Sequence, residues 1–503
     1  MLGGKDNQQI FLGEGSYGCV WHPGITCKGN QIKKKNIVNK IQEINFYSKN
    51  ELYVSKIVKN IKNYHKYFVP IKNYCIVEFN NILKSSIDVN KCQNLFEDYI
   101  NDYTSSDQQK LLKNKYYMFY INYINNLTLK EYFIKNSSFN SYYFNKYIYN
   151  YLFLLKAINI LYQNNIIHND LHYNNILHNL DKDLPCIIDF GLSFHTKKLY
   201  LKNKSGSEAG TGSEAGTGSE SGTESGTESG TGTGTGSESG TGTGSESGTG
   251  SEAATEFHAE LFINKNINYK NLKRFFFDFR IDSYNHLIEK RFISFFTYNY
   301  NESFKIKINN NHSINKLDTK ILQIFIDDAY NTIFNNPEIK FIFNEKELAS
   351  YKKALYTFYK PFLNKKTYYY YSDIVYELLP YVFKFNDLYS LSISFILIYY
   401  KINKDTSNTY NFVFILLSQL FKKILYPLPE YRIDIAQFIS ILEFLLNYVK
   451  TNNEYTSQFD IEFEKLLVTI NLDYAIFFNK EYAFIDFSKI FTSKNFNLLK
   501  KII

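Results

Sequence analysis

Sixteen of the chain's 24 glycines lie in one tract, Ser205 to Ala254, and only eight remain for all the rest. The tract is almost wholly Gly, Ser, Thr and Glu, with no aliphatic residue larger than Ala. Such a segment cannot bury enough apolar surface to offset the entropy of ordering it. Residues 205–254 are therefore expected to be a disordered loop. Periodic apolar sequence flanks it on both sides, so it reads as an insertion into a fold. The scarcity elsewhere makes each remaining glycine informative. Gly13, Gly15 and Gly18 fall within six residues, and Gly191 stands beside an aspartate. Half of the remaining glycines thus mark two places where the backbone needs freedom or close approach.

The 503 residues are 44% hydrophobic, enough for a large core, and suit either several domains or one two-lobed domain with insertions. Tyr (45) and Phe (44) abound while Trp (1) and Met (2) are rare, a bias that fits an AT-rich genome better than a binding function. The net charge is +8, and removing the eight glutamates of the repeat leaves +16. A lysine-rich solvated surface accounts for this, so no specific nucleic-acid partner is expected. Cys19, Cys27, Cys75, Cys92 and Cys186 are scattered, odd in number and without a CxxC pair. Neither a disulfide framework nor a zinc site is expected, and a reducing compartment is. The N-terminal residues lack an apolar signal core, and Leu388 to Tyr400 is too short an apolar run to span a bilayer. The expectation is an intracellular, cytoplasmic protein without a membrane span.

Residues 9–21 alternate and break at glycines, which predicts strand–turn–strand. A short strand follows at Ile37 to Ile41, a helix at Tyr47 to Ile61, and a strand at Lys115 to Ile124. Tyr142 to Tyr162 reads as a long apolar helix and Cys186 to Phe190 as a buried strand. Beyond about 260 the rhythm is helical, at 318–335, 346–358, 387–400, 410–425 and 433–450. A β-rich first part and an α-rich second part predict two lobes.

Three constellations carry chemistry. The first is Gly13-Glu14-Gly15-Ser16-Tyr17-Gly18-Cys19-Val20, a hairpin tip whose backbone N–H groups can cover phosphates. A Rossmann turn would need this motif to open a helix, whereas Cys19 to His22 continues as a strand. The second is Lys40, on a short strand with apolar flanks, with Glu51 on the next helix to hold it; Lys33, Lys34 and Lys35 compete but read as loop. The third is the most specific. Ile166-Ile167-His168-Asn169-Asp170-Leu171-His172-Tyr173-Asn174-Asn175-Ile176-Leu177 exposes a polar loop between apolar pairs, and Asp189-Phe190-Gly191 follows. One Asp to direct an attacking hydroxyl, with an Asn and an Asp to hold Mg²⁺, is the set phosphoryl transfer requires.

These motifs resemble the protein-kinase superfamily over roughly residues 10–450. Gly13 to Val20 is similar to its glycine-rich loop, Lys40 and Glu51 to the small-lobe ion pair, and residues 121–126 to the hinge. His168 to Asn175 resembles the catalytic loop and Asp189-Phe190-Gly191 the magnesium motif. Asp387 resembles the buried Asp that anchors the catalytic loop. Arg432 resembles the late large-lobe Arg, with Glu260 as the best match to its partner. Gly-Ser-Tyr-Gly-Cys-Val with Pro23-Gly24-Ile25 looks most like serine/threonine kinases of large DNA viruses, which would place the protein in host cytoplasm or virion. The resemblance implies an α+β, two-lobed protein-kinase-like fold: a small β-rich N-lobe at 1–124, a large mainly helical C-lobe at 125–204 and 255–450 around the 205–254 insertion, and a C-terminal extension at 451–503. It also implies ATP and Mg²⁺ as cofactors, with Asp170, Lys40 and Glu51 catalytic, Asn175 and Asp189 on the metal, and Gly13, Glu14, Gly15, Ser16, Tyr17, Gly18, Val20 and Lys40 on the nucleotide. The partner is a protein with a Ser or Thr acceptor.

The sequence departs from that pattern. His-Asn-Asp stands where His-Arg-Asp is usual, so a phosphate on the activation segment would lack its ordinary cation, and activity independent of such phosphorylation is expected. His172 stands where serine/threonine kinases carry Lys, and Asp-Leu-His-x-x-Asn also looks like kinases of small molecules. Residues 265–385 have no counterpart in a minimal kinase. His168 is expected to pack under the loop, and His172 to face either phosphate or solvent. The alternatives to a protein kinase are a small-molecule kinase with the same core and a pseudokinase scaffold.

Overall fold

Alternating polar and apolar residues with glycine at the tip make Ile10–Gly15 (β1) and Gly18–His22 (β2) an antiparallel hairpin, closed where Gly15 faces Gly18. The computed structural model describes residues 9–15, 18–30, 36–85, 87–100, 112–135, 141–199, 269–276, 286–297, 319–363, 371–403, 411–473 and 485–503. The repeat 205–254, Ser16, Tyr17 and Glu260 lie outside the described residues. Strands β3 (Ile37–Glu43), β4 (Asn73–Glu78) and β5 (Lys115–Asn122) complete a five-stranded sheet in the order β1-β2-β3-β5-β4. Every pairing in it is antiparallel.

Helix α1 (Phe46–Asn60) starts at Asn45, whose side chain accepts from the N–H groups of Tyr47 and Ser48 while Ser48 Oγ accepts from the Asn45 N–H. It buries Glu51, Val54, Ser55 and Val58, the three-and-four spacing of one helical face. The chain between β4 and β5 is longer than a turn. It folds into a short helix at Phe79–Leu83, a turn at Val89–Lys91 and α2 (Gln93–Ile100). Phe79, Ile82, Cys92 and Phe96 from this stretch pack with Cys19, Trp21, Ile25 and Met118.

The expected absence of disulfides is overturned here. Cys19 is paired with Cys92 and Cys27 with Cys75, closing separations of 73 and 48 residues. No local spacing announces such pairs. The sheet and α2 bring them together, and the buried Cys186 is the free thiol.

After β5 come β6 (Asn126–Thr128), α3 (Leu129–Lys135), α4 (Ser141–Gln163), β7 (Ile166–Ile167), β8 (Ile176–Asn179), β9 (Leu184–Ile187) and β10 (Phe194–His195). β6, β8 and β9 form one small sheet, and β10 pairs with β7. The remainder is helical: α5 (Tyr269–Phe275), α6 (Ile288–Thr297), α7 (Thr319–Phe334), α8 (Glu345–Tyr359), α9 (Tyr371–Asn403), α10 (Asn411–Leu425), α11 (Ile435–Thr451), α12 (Ser457–Thr469) and α13 (Ser493–Ile502). Helix α9 is the axis of this part and packs against α3, α4, α6 and α10. It begins well before the expected residue 387 and runs through Pro380. Its stretch Asp373–Ile402 is the one helix among the described residues long and apolar enough to cross a membrane. Because 89% of its apolar window is buried, it serves as a core helix. Residues beyond 450 join the same body, since α13 packs on α4 and Asn145 Nδ2 donates to Ile502 O at 2.6 Å.

A β-rich N-terminal region thus precedes a mainly helical C-terminal part, compatible with a two-lobed α+β architecture. The sheet ends at Asn122, close to the expected boundary at 124.

Candidate functional site

Gly18 lets β2 lie close against β3. A Cβ there would lie 2.1 Å from the Ile41 carbonyl oxygen, so no other residue fits without moving β3. A Cβ at Gly13 would meet nothing within 4 Å, so the outer face of the hairpin is open. Val20 stands opposite Lys40 in the register of β2 and β3. Glu14, expected among the nucleotide-binding residues, is drawn aside: its Oε1 accepts from Asn94 N at 2.7 Å. In this structure its carboxylate caps the α2 region. Gly13, Gly15 and Gly18 line the hairpin backbone.

Lys40 and Gln42 alternate with apolar residues along β3 and point to one face. That face meets α1. Lys40 Nζ donates to Glu51 Oε1 at 3.2 Å and Oε2 at 3.1 Å, and to Asp189 Oδ1 at 2.9 Å. Gln42 Nε2 donates to Glu51 Oε2 at 3.1 Å. Lys40 and Glu51 are 8% and 3% exposed, whereas the Asp189 side chain keeps 37% of its surface open. Burial alone would lower the Lys40 pKa, but the charges of Asp189 and Glu51 outweigh it and raise it. Burial lifts the Glu51 carboxyl to about 7 despite Lys40. For Asp189 burial pushes upward, and the Lys40 charge wins and holds it below the usual value.

Residues 168–175 are fixed by a separate set of bonds. Asp387, on α9, accepts from His168 N at 2.6 Å with one carboxylate oxygen and from Asn169 N at 2.9 Å with the other. Asn175 Nδ2 donates to the Asp170 carbonyl at 2.8 Å and to Asp170 Oδ2 at 3.1 Å. Ile188 N donates to the Asn175 carbonyl at 3.0 Å, which holds the Asp189 strand against the loop. His168 is fully buried, its Nε2 2.9 Å from the Ile188 carbonyl, and so acts as a strut. Phe190 packs between the His168 ring, tilted and 5.3 Å away, and Phe68, edge-on and 6.2 Å away. His172 Nδ1 accepts from Asn174 N, and its Nε2 lies 3.3 Å from Asn175 Nδ2 and 3.8 Å from Asp170 Oδ2. Burial lowers its pKa against the pull of Asp170. Two residues here hold left-handed backbone, Asn169 at φ +66° and Asp189 at φ +59°. Such conformations cost roughly 1–3 kcal/mol outside glycine and persist where surrounding bonds over-determine them.

All the expected catalytic and metal residues therefore fall into two contiguous groups joined by Asp189. A metal would find hard oxygen donors. Asn175 commits its Nδ2 to Asp170, which turns the amide oxygen elsewhere, and Asp189 presents a partly open carboxylate. This donor chemistry suits Mg²⁺.

Among the described residues Arg432 pairs with Glu289; Glu260, the expected partner, lies outside them. Arg432 Nη2 lies 2.8 Å from Glu289 Oε1, and both side chains are 1% exposed. Glu289 belongs to α6, inside the stretch 265–385 that sequence reading treated as additional helices. Its signal was faint: Glu289 opens the charged run Glu289-Lys290-Arg291 between the apolar pairs Leu287-Ile288 and Phe292-Ile293. Gln42 and Asn50 were also missed. Gln42 was accessible by strand periodicity, two residues from Lys40. Asn50 donates to the carbonyls of Gly191, at 3.3 Å, and Ser193, at 2.6 Å, a role no pattern announces. A cavity of about 380 Å³ lies outside this constellation, lined by Phe68, Lys72, Tyr123, Lys182 and Cys186 among others. None of the expected catalytic, nucleotide-binding or metal residues lines it.

No protein-family model matches the chain, and no curated protein matches it in sequence.

Proposed function

We propose that this chain is a two-lobed, protein-kinase-like phosphotransferase that moves the γ-phosphate of ATP to a serine or threonine hydroxyl of a protein. The observation that carries this reading is the convergence of Lys40, Glu51 and Asp189, with Asp189 bonded through its strand to the Asp170–Asn175 loop. Lys40 is presented to the α- and β-phosphates and Glu51 holds it. Asp170 orients the acceptor hydroxyl: the hydroxyl oxygen forms a bond to the γ-phosphorus, the bond from that phosphorus to the bridging oxygen breaks, ADP leaves, and the proton passes to the Asp170 carboxylate. Asn175 and Asp189 supply oxygens for Mg²⁺. When bound, the metal neutralises charge on the phosphate oxygens. The hairpin of β1 and β2 covers the phosphates with backbone N–H groups. Positioning and charge supply the rate, since the transfer asks little covalent chemistry of the protein.

The buried Glu289–Arg432 pair and the Asp387 anchor favour a protein acceptor, because both resemble features of the protein-kinase large lobe. Asp170-Leu171-His172 favours a second reading, transfer to a small molecule. Phosphorylation of a generic basic protein, run beside a panel of aminoglycosides and sugars, separates the two. Asp170→Asn serves as the control and also tests the scaffold alternative.

A further inference from the structure

Three successive charged residues, Glu289, Lys290 and Arg291, are buried at the start of α6, at 1%, 3% and 1% exposure. Burying an ammonium or guanidinium is unfavourable unless it is bonded, so such a run is not an ordinary surface of lysines and arginines. Successive helical residues point about 100° apart, and the three engage three different parts of the molecule. Glu289 pairs with Arg432. Arg291 Nη2 lies 3.5 Å from Asp328 Oδ2 and donates to Thr332 Oγ1 at 3.2 Å, both on α7. Lys290 Nζ donates to the backbone carbonyl of Asn169 at 2.5 Å.

That carbonyl belongs to the peptide unit joining Asn169 to Asp170. The N–H groups of His168 and Asn169 are bonded to Asp387, and Asn169 has left-handed backbone. The Asn169 side chain also donates to the carbonyls of Leu192, at 3.3 Å, and Phe275, at 2.8 Å. Asp387 therefore fixes the peptide plane before Asn169, and Lys290 fixes the one after it. Rotation of this second plane would swing Asp170 away from its bond with Asn175.

We propose that Lys290 is a positioning residue that sets the orientation of Asp170 from α6. This rests on the phosphotransferase reading and deepens it. Where the resembled family places an arginine cation on the catalytic loop, the loop here offers an acceptor and the cation comes from the far side of the activation segment. The loop is held without a phosphate because a buried lysine supplies the charge.

The test compares wild type, Lys290→Met and Lys290→Arg by three measurements: turnover on a generic basic protein, Mg-ATP affinity by calorimetry, and deuterium exchange of the amides of residues 168–176. Misplacing a reacting group by about 1 Å costs on the order of 100-fold. Lys290→Met is expected to lower kcat by roughly 10- to 100-fold with KM for ATP within about twofold, and to accelerate exchange in 168–176. Lys290→Arg, which keeps a charged donor, recovers most of both. Wild-type kcat and unchanged exchange in Lys290→Met would overturn the inference, as would Lys290→Arg behaving like Lys290→Met. Should Lys290→Met fail to fold, Lys290→Gln is judged by the same criteria. Should wild type transfer no phosphate, the functional reading falls, and the exchange comparison still decides whether Lys290 holds the loop.

Discussion

Lys40 Nζ reaches Asp189 Oδ1 at 2.9 Å across 149 residues of sequence. The same ammonium bonds both oxygens of Glu51, so one cation joins the sheet, α1 and the strand end beside the 168–175 loop. Removing that cation separates function from stability. Lys40→Met should abolish phosphotransfer, a loss of at least about 100-fold, because the phosphates lose their orienting charge. It leaves Glu51 buried, and a carboxyl whose pKa is already about 7 can take up a proton. The melting temperature should therefore fall only modestly. Asp189→Asn should behave alike, with loss of the magnesium dependence of nucleotide binding. Activity assays and thermal melts on both variants check this.

The Glu51 carboxyl gives a pH dependence. Only its ionised form holds Lys40, and burial raises its pKa to about 7. Nucleotide-dependent turnover should therefore rise with pH through about 7. Stability runs the other way. A carboxyl with a raised folded pKa contributes stability that is fully present below its unfolded value of 4.5 and is lost as pH rises through about 7. Glu51→Gln should accordingly gain stability relative to wild type between pH 5.5 and 8 while remaining inactive. An acid limb below pH 5 in kcat/KM would contradict the assignment of this limb to Glu51.

Reduction should weaken the β-rich part. Cys19–Cys92 and Cys27–Cys75 close loops of 73 and 48 residues, each worth roughly 4 kcal/mol in the chain-entropy account. Because the loops overlap, the two contributions do not simply add. A reducing agent should lower the melting temperature by several degrees, and Cys92→Ser should reproduce part of that shift. Thiol counting under denaturing, non-reducing conditions gives the direct reading: one free thiol, Cys186, is expected. Five free thiols would show that the pairs do not form.

Breaking the Glu289–Arg432 pair should be costly. Both partners are 1% exposed, and removing one partner of a buried pair costs about 3–5 kcal/mol. Arg432→Met should destabilise by that order in chemical denaturation. The double variant Arg432→Met with Glu289→Leu should recover much of the loss, since no unpaired charge remains.

Phosphatase treatment should leave activity unchanged. Asn169 stands where a phosphate-binding arginine is usual, and its amide is already spent on Leu192 and Phe275.

The sequence made the local elements legible where residue chemistry and period agree. The hairpin with its glycines, α1, and the polar loop between Ile166-Ile167 and Ile176-Leu177 fall where the pattern placed them, and Glu51 holds Lys40 as the pairing of charges suggested. Contacts that depend on the packing of distant segments were not legible. Asn50 reaches two carbonyls beyond Asp189, and Lys290 reaches the loop across 121 residues. Asn and Lys are so common in this chain that neither stands out. The cysteine pairs were hidden for a related reason, because α2 lies in a stretch between β4 and β5 with no strong periodicity. Glu289 was not singled out, because a short motif match, which pointed to Glu260, does not tell which acids lie against Arg432. The expected start of α9 at 387 fell late, because the helix continues N-terminally through Pro380 to Tyr371, and a proline ordinarily interrupts a helix.

The most direct test is transfer of labelled γ-phosphate from Mg-ATP to a basic protein by the purified full-length chain, beside Asp170→Asn. The account predicts phosphoserine or phosphothreonine from wild type, dependent on magnesium, and at least about 100-fold less from the variant, with both proteins equally folded. Equal labelling by the two proteins, or a wild-type chain that neither binds nor turns over Mg-ATP, would contradict it.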